Sequence, residues 1–125
     1  MTTPGPFGDP APFHADVARG PRAGHALWAR TSDGVRIRLG IWPEGRKGTV
    51  LLFPGRTEYI EKYGTVAAAL QDLGYATLAV DWRGQGLADR ALPDRMSGHV
   101  ADFADYQRDV ACMLEAARAL PARSR

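Results

Sequence analysis

Three serines, three histidines and one cysteine are the side chains here that could act as a nucleophile or as a histidine base. A serine attacks a carbonyl when a histidine within hydrogen-bond reach takes its proton and a carboxylate orients that histidine. Ser97, His99 and Asp102 bring the three residue types together, but they crowd one loop with no sharp elbow to present the hydroxyl. That spacing argues against a local triad. Ser32 belongs to the turn Ser32-Asp33-Gly34, Ser124 is the penultimate residue, and His14 and His25 fall in a loose lead-in. Cys112 lies off the main apolar stripe of a helical segment and reads as a small packing residue. No Cys/His cluster has zinc spacing, so no metal site is expected. Asp81-x-Arg83-Gly84-x-Gly86 follows an apolar run, as a phosphate-cradling loop does. It lacks a third glycine and no helix starts directly after it, so dinucleotide binding is not expected. The structural reading is that Asp81 and Arg83 pair to hold the turn, while Gly84 and Gly86 permit tight backbone packing.

The composition narrows the classes. With 125 residues, 45% hydrophobic and 24% charged, the chain fits one modest globular domain. Its 16 basic and 14 acidic residues nearly balance. Arginines neighbour acids at Asp81/Arg83, Asp89/Arg90, Asp94/Arg95 and Arg108/Asp109, leaving no stripe to track a phosphate backbone, so nucleic acid is not an expected partner. A single cysteine precludes an internal disulfide and suits a reducing, cytoplasmic setting. The N-terminus lacks a basic-then-apolar leader pattern. No apolar stretch approaches the ~20 residues of a membrane helix.

The elements that must position any site follow from periodicity. Residues 1–24, dense in proline and glycine, read as an extended lead-in, with order starting near Leu27. Ser32-Asp33-Gly34 turns the chain between Leu27-Trp28-Ala29-Arg30 and a strand in which Val35, Ile37, Leu39 and Ile41 alternate with Arg36, Arg38 and Gly40. Such alternation predicts a hairpin with one buried and one wet face. Thr49-Val50-Leu51-Leu52-Phe53 is continuously apolar, the pattern of a parallel strand covered on both faces. A helix is predicted over 58–73, with Thr57 as N-cap, Glu58 and Glu61 in its first turn and Gly74 as its stop. Ile60, Tyr63, Ala67, Leu70 and Leu73 form its apolar stripe. Tyr75 to Val80 resumes the buried-strand pattern. After a turn-rich loop, Phe103, Tyr106, Val110, Met113, Ala117 and Leu120 mark a last helix, capped by Asp102 and ended by Pro121. The fold class is α/β.

Taken in order, several segments resemble a known family: Phe53-Pro54-Gly55-Arg56-Thr57-Glu58-Tyr59-Ile60-Glu61-Lys62-Tyr63, then Gly74-Tyr75, Asp81-Trp82-Arg83-Gly84-Gln85-Gly86, Gly98-His99-Val100, and Phe103 and Tyr106 with Asp109. Over roughly residues 27–120 the chain is similar to the N-terminal half of α/β-hydrolases of the monoacylglycerol lipase and lysophospholipase type, serine aminopeptidase S33-like. It departs from that pattern at Pro54, where the family has His, at Gln85, a frequent His, and at Ser97, an Arg.

The resemblance implies a partial α/β-hydrolase fold: an N-terminal antiparallel hairpin, a parallel strand–helix–strand unit and a further helix, in an incomplete sheet. Residues 25–125 would be the N-terminal part of the domain, stopping before the nucleophile elbow. The implied activity is hydrolysis of a carboxylic ester, of the monoacylglycerol or lysophospholipid class, through an acyl-serine and without a cofactor. The family's Gly-x-Ser-x-Gly, and the acid and histidine that follow it in chain order, are absent here. What family position leaves is one oxyanion-hole donor, the backbone N–H of Arg56, on a loop shaped by Pro54 and Gly55. Glu58 and Tyr63 are expected to anchor the first helix to that loop. Asp81, Arg83, Gly84, Gly86 and His99 are expected to be structural or loop-stapling. The chain alone is expected to be inactive, its strand at 49–53 left as an apolar edge. The alternatives are a non-catalytic binding or complementation module and, more remotely, a stand-alone phosphate-binding domain.

Overall fold

The computed structural model describes residues 7–43, 45–55, 58–89 and 104–119. Strands β2 (His25–Arg30) and β3 (Arg36–Trp42) form the expected hairpin, with His25 opposite Ile41 and Arg30 opposite Arg36. Its turn is tied by Thr31, whose N–H bonds the Val35 carbonyl while its hydroxyl oxygen accepts the Val35 N–H. Strand β4 (Gly48–Leu52) leads to a 3₁₀ turn (Ile60–Tyr63), helix α2 (Gly64–Asp72) and strand β5 (Tyr75–Asp81), which runs parallel to β4. β5 inserts between β3 and β4, so β4 ends the sheet order β1-β2-β3-β5-β4. A long helix, α3 (Ala104–Ala119), completes the described elements.

Four expectations need correction. Regular structure starts well before Leu27: β1 (Phe7–Ala11) pairs antiparallel with β2, and a short helix, α1 (Ala15–Ala18), follows. Pro10 is tolerated because β1 is an edge strand, and the register shifts between Phe7 and Pro10. The second correction concerns β3, which has no wet face. Arg38 and Trp42 are each 1% exposed, because the 3₁₀ turn, α2 and the N-terminal segment cover the face that alternation assigned to water. Third, β4 ends at Leu52 and is only partly covered on the faces that its apolar run assigned to the interior, with Phe53 beyond it 46% exposed; its place at the end of the described sheet is that of the expected apolar edge. Lastly, the α-helix opens at Gly64 and not at Glu58; Gly74, with φ +96°, does stop it. Leu73 falls beyond α2 and is exposed. Thr57, Asp102, Phe103 and Leu120 lie outside the described residues.

Two apolar layers sandwich the sheet. On one face Ile37, Leu39 and Ile41 of β3 and Leu78 and Val80 of β5 pack with Cys112, Met113 and Ala116 of α3. Cys112 therefore lies on the buried stripe of α3, beside Met113, and not off it as expected. On the other face Ala26, Trp42 and Ala79 meet Ile60 and Ala67, with Phe13 edge-on to Trp42 at 5.9 Å between ring centroids. Here α1 lies against the start of α2. A Cβ on Gly64 would sit 2.0 Å from the Ala18 carbonyl oxygen, so only glycine permits that contact.

Candidate functional site

β4 delivers Pro54 and Gly55 to the carboxyl end of the parallel strands, where open α/β sheets bind ligands. Both ends of the peptide unit joining them are held. The Pro54 carbonyl accepts the Trp82 indole N–H at 2.7 Å, and the Gly55 N–H donates to Glu58 Oε1 at 2.8 Å. Glu58 precedes the 3₁₀ turn and also accepts the Tyr63 hydroxyl and Lys62 Nζ, the latter at 2.8 Å. Lys62, then Tyr63 and the Gly55 N–H, hold the Glu58 carboxyl at about 2. Trp82 stands between Phe53 and Tyr106, at 5.7 and 5.2 Å. Arg56 and His99 lie outside the described residues.

Asp81 and Arg83 do not pair with each other, contrary to expectation. They point to opposite faces and clamp different elements. Asp81 receives Arg38 Nε at 2.7 Å, the Ile60 N–H at 2.9 Å and the Leu87 N–H at 3.0 Å. Arg38 also grips Glu61 with two bonds of 2.7 and 2.6 Å, and its Nη1 donates to the Pro12 carbonyl. Glu61 accepts the His14 N–H as well. One guanidinium and two carboxylates, all at most 2% exposed, thus tie β3, β5, the 3₁₀ turn and the N-terminal segment into one network. Burial pushes Glu61 up, but Arg38 and the His14 N–H overcome it and hold the carboxyl below its ordinary value. At Asp81 burial wins over Arg38 and raises it. Glu61, assigned from sequence to the helix dipole, is instead an internal ion-pair partner.

Arg83 turns the other way. Its backbone N–H and Nε donate to Asp109 on α3 at 3.0 and 2.9 Å, and Nη1 and Nη2 donate to Asp33 of the hairpin turn at 2.8 and 3.0 Å. Those bonds hold Asp33 well below the usual carboxylate range, while burial raises Asp109 against the pull of Arg83. The glycine-rich loop has no cradle for phosphate. Asp81 Oδ2 occupies its interior, 2.2 Å from where a Cβ on Gly86 (φ +49°) would fall. The N–H groups of Gly84, Gln85, Leu87 and Ala88 all bond within the chain.

A pocket of about 400 Å³ opens over the Arg38–Glu61 pair, between His14 and Val17 on one side and Tyr59 and Leu87 on the other. Burial pushes the Cys112 thiol up to about 11, which keeps it an unreactive thiol at neutral pH. Among the described residues no three His, Cys, Asp or Glu side chains are grouped to hold a metal ion, and no helix is long and apolar enough to cross a membrane.

A hairpin entering a sheet whose second parallel strand is inserted beside it, with helices on both faces, defines part of an α/β-hydrolase fold. The solved structure of DcsB in complex with its substrate analogue matches with a TM-score of 0.64 at 23% identity, over 80% of this chain and 33% of that one. The α/β-hydrolase GrgF from Penicillium sp. sh18 matches at 0.60 and 19%, over 78% and 33%. The family model described as Serine aminopeptidase, S33 matches residues 44–124, and the chain belongs to that family. It is 45% identical over 62 residues to lysophospholipase L2 of Escherichia coli (strain K12), covering 50% of this chain and 18% of that protein. A probable lysophospholipase L2 of Haemophilus influenzae is 35% identical over 81 residues, 64% of this chain and 25% of its own length. The chain thus spans a quarter or less of the curated relatives it matches.

Proposed function

We propose that this chain is the oxyanion-stabilising portion of a serine hydrolase acting on carboxylic esters of the monoacylglycerol or lysophospholipid class. The supporting observation is the turn after β4. Gly55 has no left-handed φ, and a Cβ there would meet only Glu58, at an ordinary 3.5 Å. Its missing side chain therefore serves neither the turn nor the packing of the described residues. That leaves room for an approach from outside, as a substrate carbonyl would make. The oxyanion donor that the family resemblance implies is the Arg56 N–H, next in the chain to the Gly55 N–H that Glu58 engages. One such donor is worth about 2.7–4 kcal/mol of transition-state stabilisation. Attack by serine, an acyl-enzyme and its hydrolysis would use a nucleophile, acid and histidine outside these 125 residues, with no cofactor and in the cytoplasm. A non-catalytic complementation module is the competing reading, favoured by the place of β4 at the end of the described sheet.

A serine-directed fluorophosphonate probe is expected to leave the 125-residue chain unlabelled. The reading frame past Arg125 is expected to encode a further apolar strand and then Gly-x-Ser-x-Gly. Stoichiometric labelling abolished by Ser97→Ala would overturn the proposal. A frame with no such motif would favour the complementation module.

A further inference from the structure

We propose that the pocket of about 400 Å³ over the Arg38–Glu61 pair is a second binding site, taking a small uncharged amphipath with an alkyl body and a hydroxyl head. The inference stands apart from the oxyanion reading, since neither Pro54 nor Gly55 lines this pocket. Its walls are preformed. On one side the Pro12 carbonyl accepts Arg38 Nη1 at 2.8 Å and the His14 N–H donates to Glu61 Oε2 at 3.0 Å, which seats the segment carrying His14 and Val17. On the other the Leu87 N–H donates to Asp81 Oδ2 at 3.0 Å and the Ile60 N–H to Asp81 Oδ1 at 2.9 Å, which seats Leu87 and the chain beside Tyr59. Arg38 joins Glu61 to Asp81, so both walls hang from one buried network. A ligand entering between them has little left to order.

The lining says what fits. Val17 is 51% exposed and Tyr59 43%, two large side chains whose apolar surface is left in water at one opening. An alkyl chain laid between them and Leu87 takes that surface out of water. At the floor Arg38 and Glu61 face each other in a two-bonded fork, so their charges cancel. A charged ligand would give up its hydration there with no counter-ion to replace it. The head has partners of another kind in the His14 imidazole and the Tyr59 hydroxyl, which line the same pocket from exposed residues. Both can serve a hydroxyl, which donates as well as accepts. The volume lies toward the small end of the ~300–1,000 Å³ of ligand pockets, and a cavity of ~150 Å³ already takes benzene.

The test titrates the full chain, ¹⁵N-labelled, with ethanol, butanol and hexanol and follows individual amides. Saturable shifts are expected at His14, Val17, Tyr59 and Leu87, with affinity rising about fourfold per added CH₂, the factor carried by one buried methylene. Hexanoate and hexylammonium are expected to bind at least about tenfold more weakly than hexanol. Val17→Asp, at an exposed position, is expected to weaken hexanol about tenfold, and Leu87→Trp to abolish its binding by filling the space. Should Leu87→Trp fail to fold, Val17→Asp decides. Shifts that do not saturate, that centre elsewhere, that ignore chain length or that survive Val17→Asp unchanged overturn the site. Hexanoate or hexylammonium binding as tightly as hexanol overturns the assignment of an uncharged ligand. None of these readings uses catalysis, so the hydrolase reading stands or falls on its own test.

Discussion

Replacing Arg38 by methionine keeps a long apolar stem in the core and deletes the guanidinium that serves both Glu61 and Asp81. All three side chains are at most 2% exposed, so solvent cannot take over the role. Removing one partner of a buried pair costs about 3–5 kcal/mol, and here two carboxylates lose their cation together, which places the loss at the upper end. The Pro12 carbonyl loses its donor too, adding about 1 kcal/mol. A total of about 4–6 kcal/mol is a large part of the 5–15 kcal/mol typical of a domain. With a urea slope of about 2 kcal/mol/M, the unfolding midpoint should fall by about 2–3 M. Tryptophan fluorescence across a urea series at pH 7, repeated at pH 4, measures it. In the native protein Glu61 is held below its ordinary value, so its contribution is present above the unfolded pKa and is lost as pH falls through the folded one. Without Arg38, burial is opposed only by the N–H bonds from His14, Ile60 and Leu87, so both carboxyls shift upward. The variant then gains relative stability as pH drops, and the gap between the two proteins narrows in acid. A midpoint change under about 0.5 M at pH 7, or a gap that widens in acid, would refute the reasoning.

Two glycines that look alike in sequence should behave differently. Gly86→Ala places a methyl 2.2 Å from the Asp81 carboxylate at a positive φ and is expected to cost more than about 1 kcal/mol, whereas Gly55→Ala should stay within about 0.5 kcal/mol in thermal melts. Equal losses would sink the distinction. The outer edge of β4 is expected to drive self-association, and Thr49→Lys, a charge at an exposed position of that strand, should shift sedimentation profiles toward monomer. Identical profiles for the two proteins would show that another surface is responsible.

The hairpin, the parallel pair and the order of the elements were legible because apolar periodicity and turn residues act locally. Ser32-Asp33-Gly34 and Gly74 carry their own geometry. What escaped the sequence was decided between distant segments. Period-two alternation put Arg38 on a wet face, since nothing local reveals that Glu61 and Asp81, 23 and 43 residues away, converge on it. Asp81 ends β5 and Arg83 lies two residues on, in the turn, where strand alternation no longer sets side-chain direction, and each finds a partner on a different layer. The prolines of the first 24 residues masked an edge strand because proline forbids a central position in a sheet but not a marginal one. Glu58 and Tyr63 were singled out by family position, and the Trp82 bond to Pro54 by neither route, since an indole donor to a carbonyl 28 residues distant leaves no mark in spacing.

The two margins of the sheet are chemically unlike. On the β1 side, Pro10 offers no N–H and the register slips near it, so an incoming strand meets a broken row of donors. On the β4 side, Gly48 to Leu52 contains no proline and no charged residue. Addition of new strands is thereby given a polarity: the sheet can be templated onward from one side only, and the side left receptive is the one whose strand ends at Pro54 and Gly55.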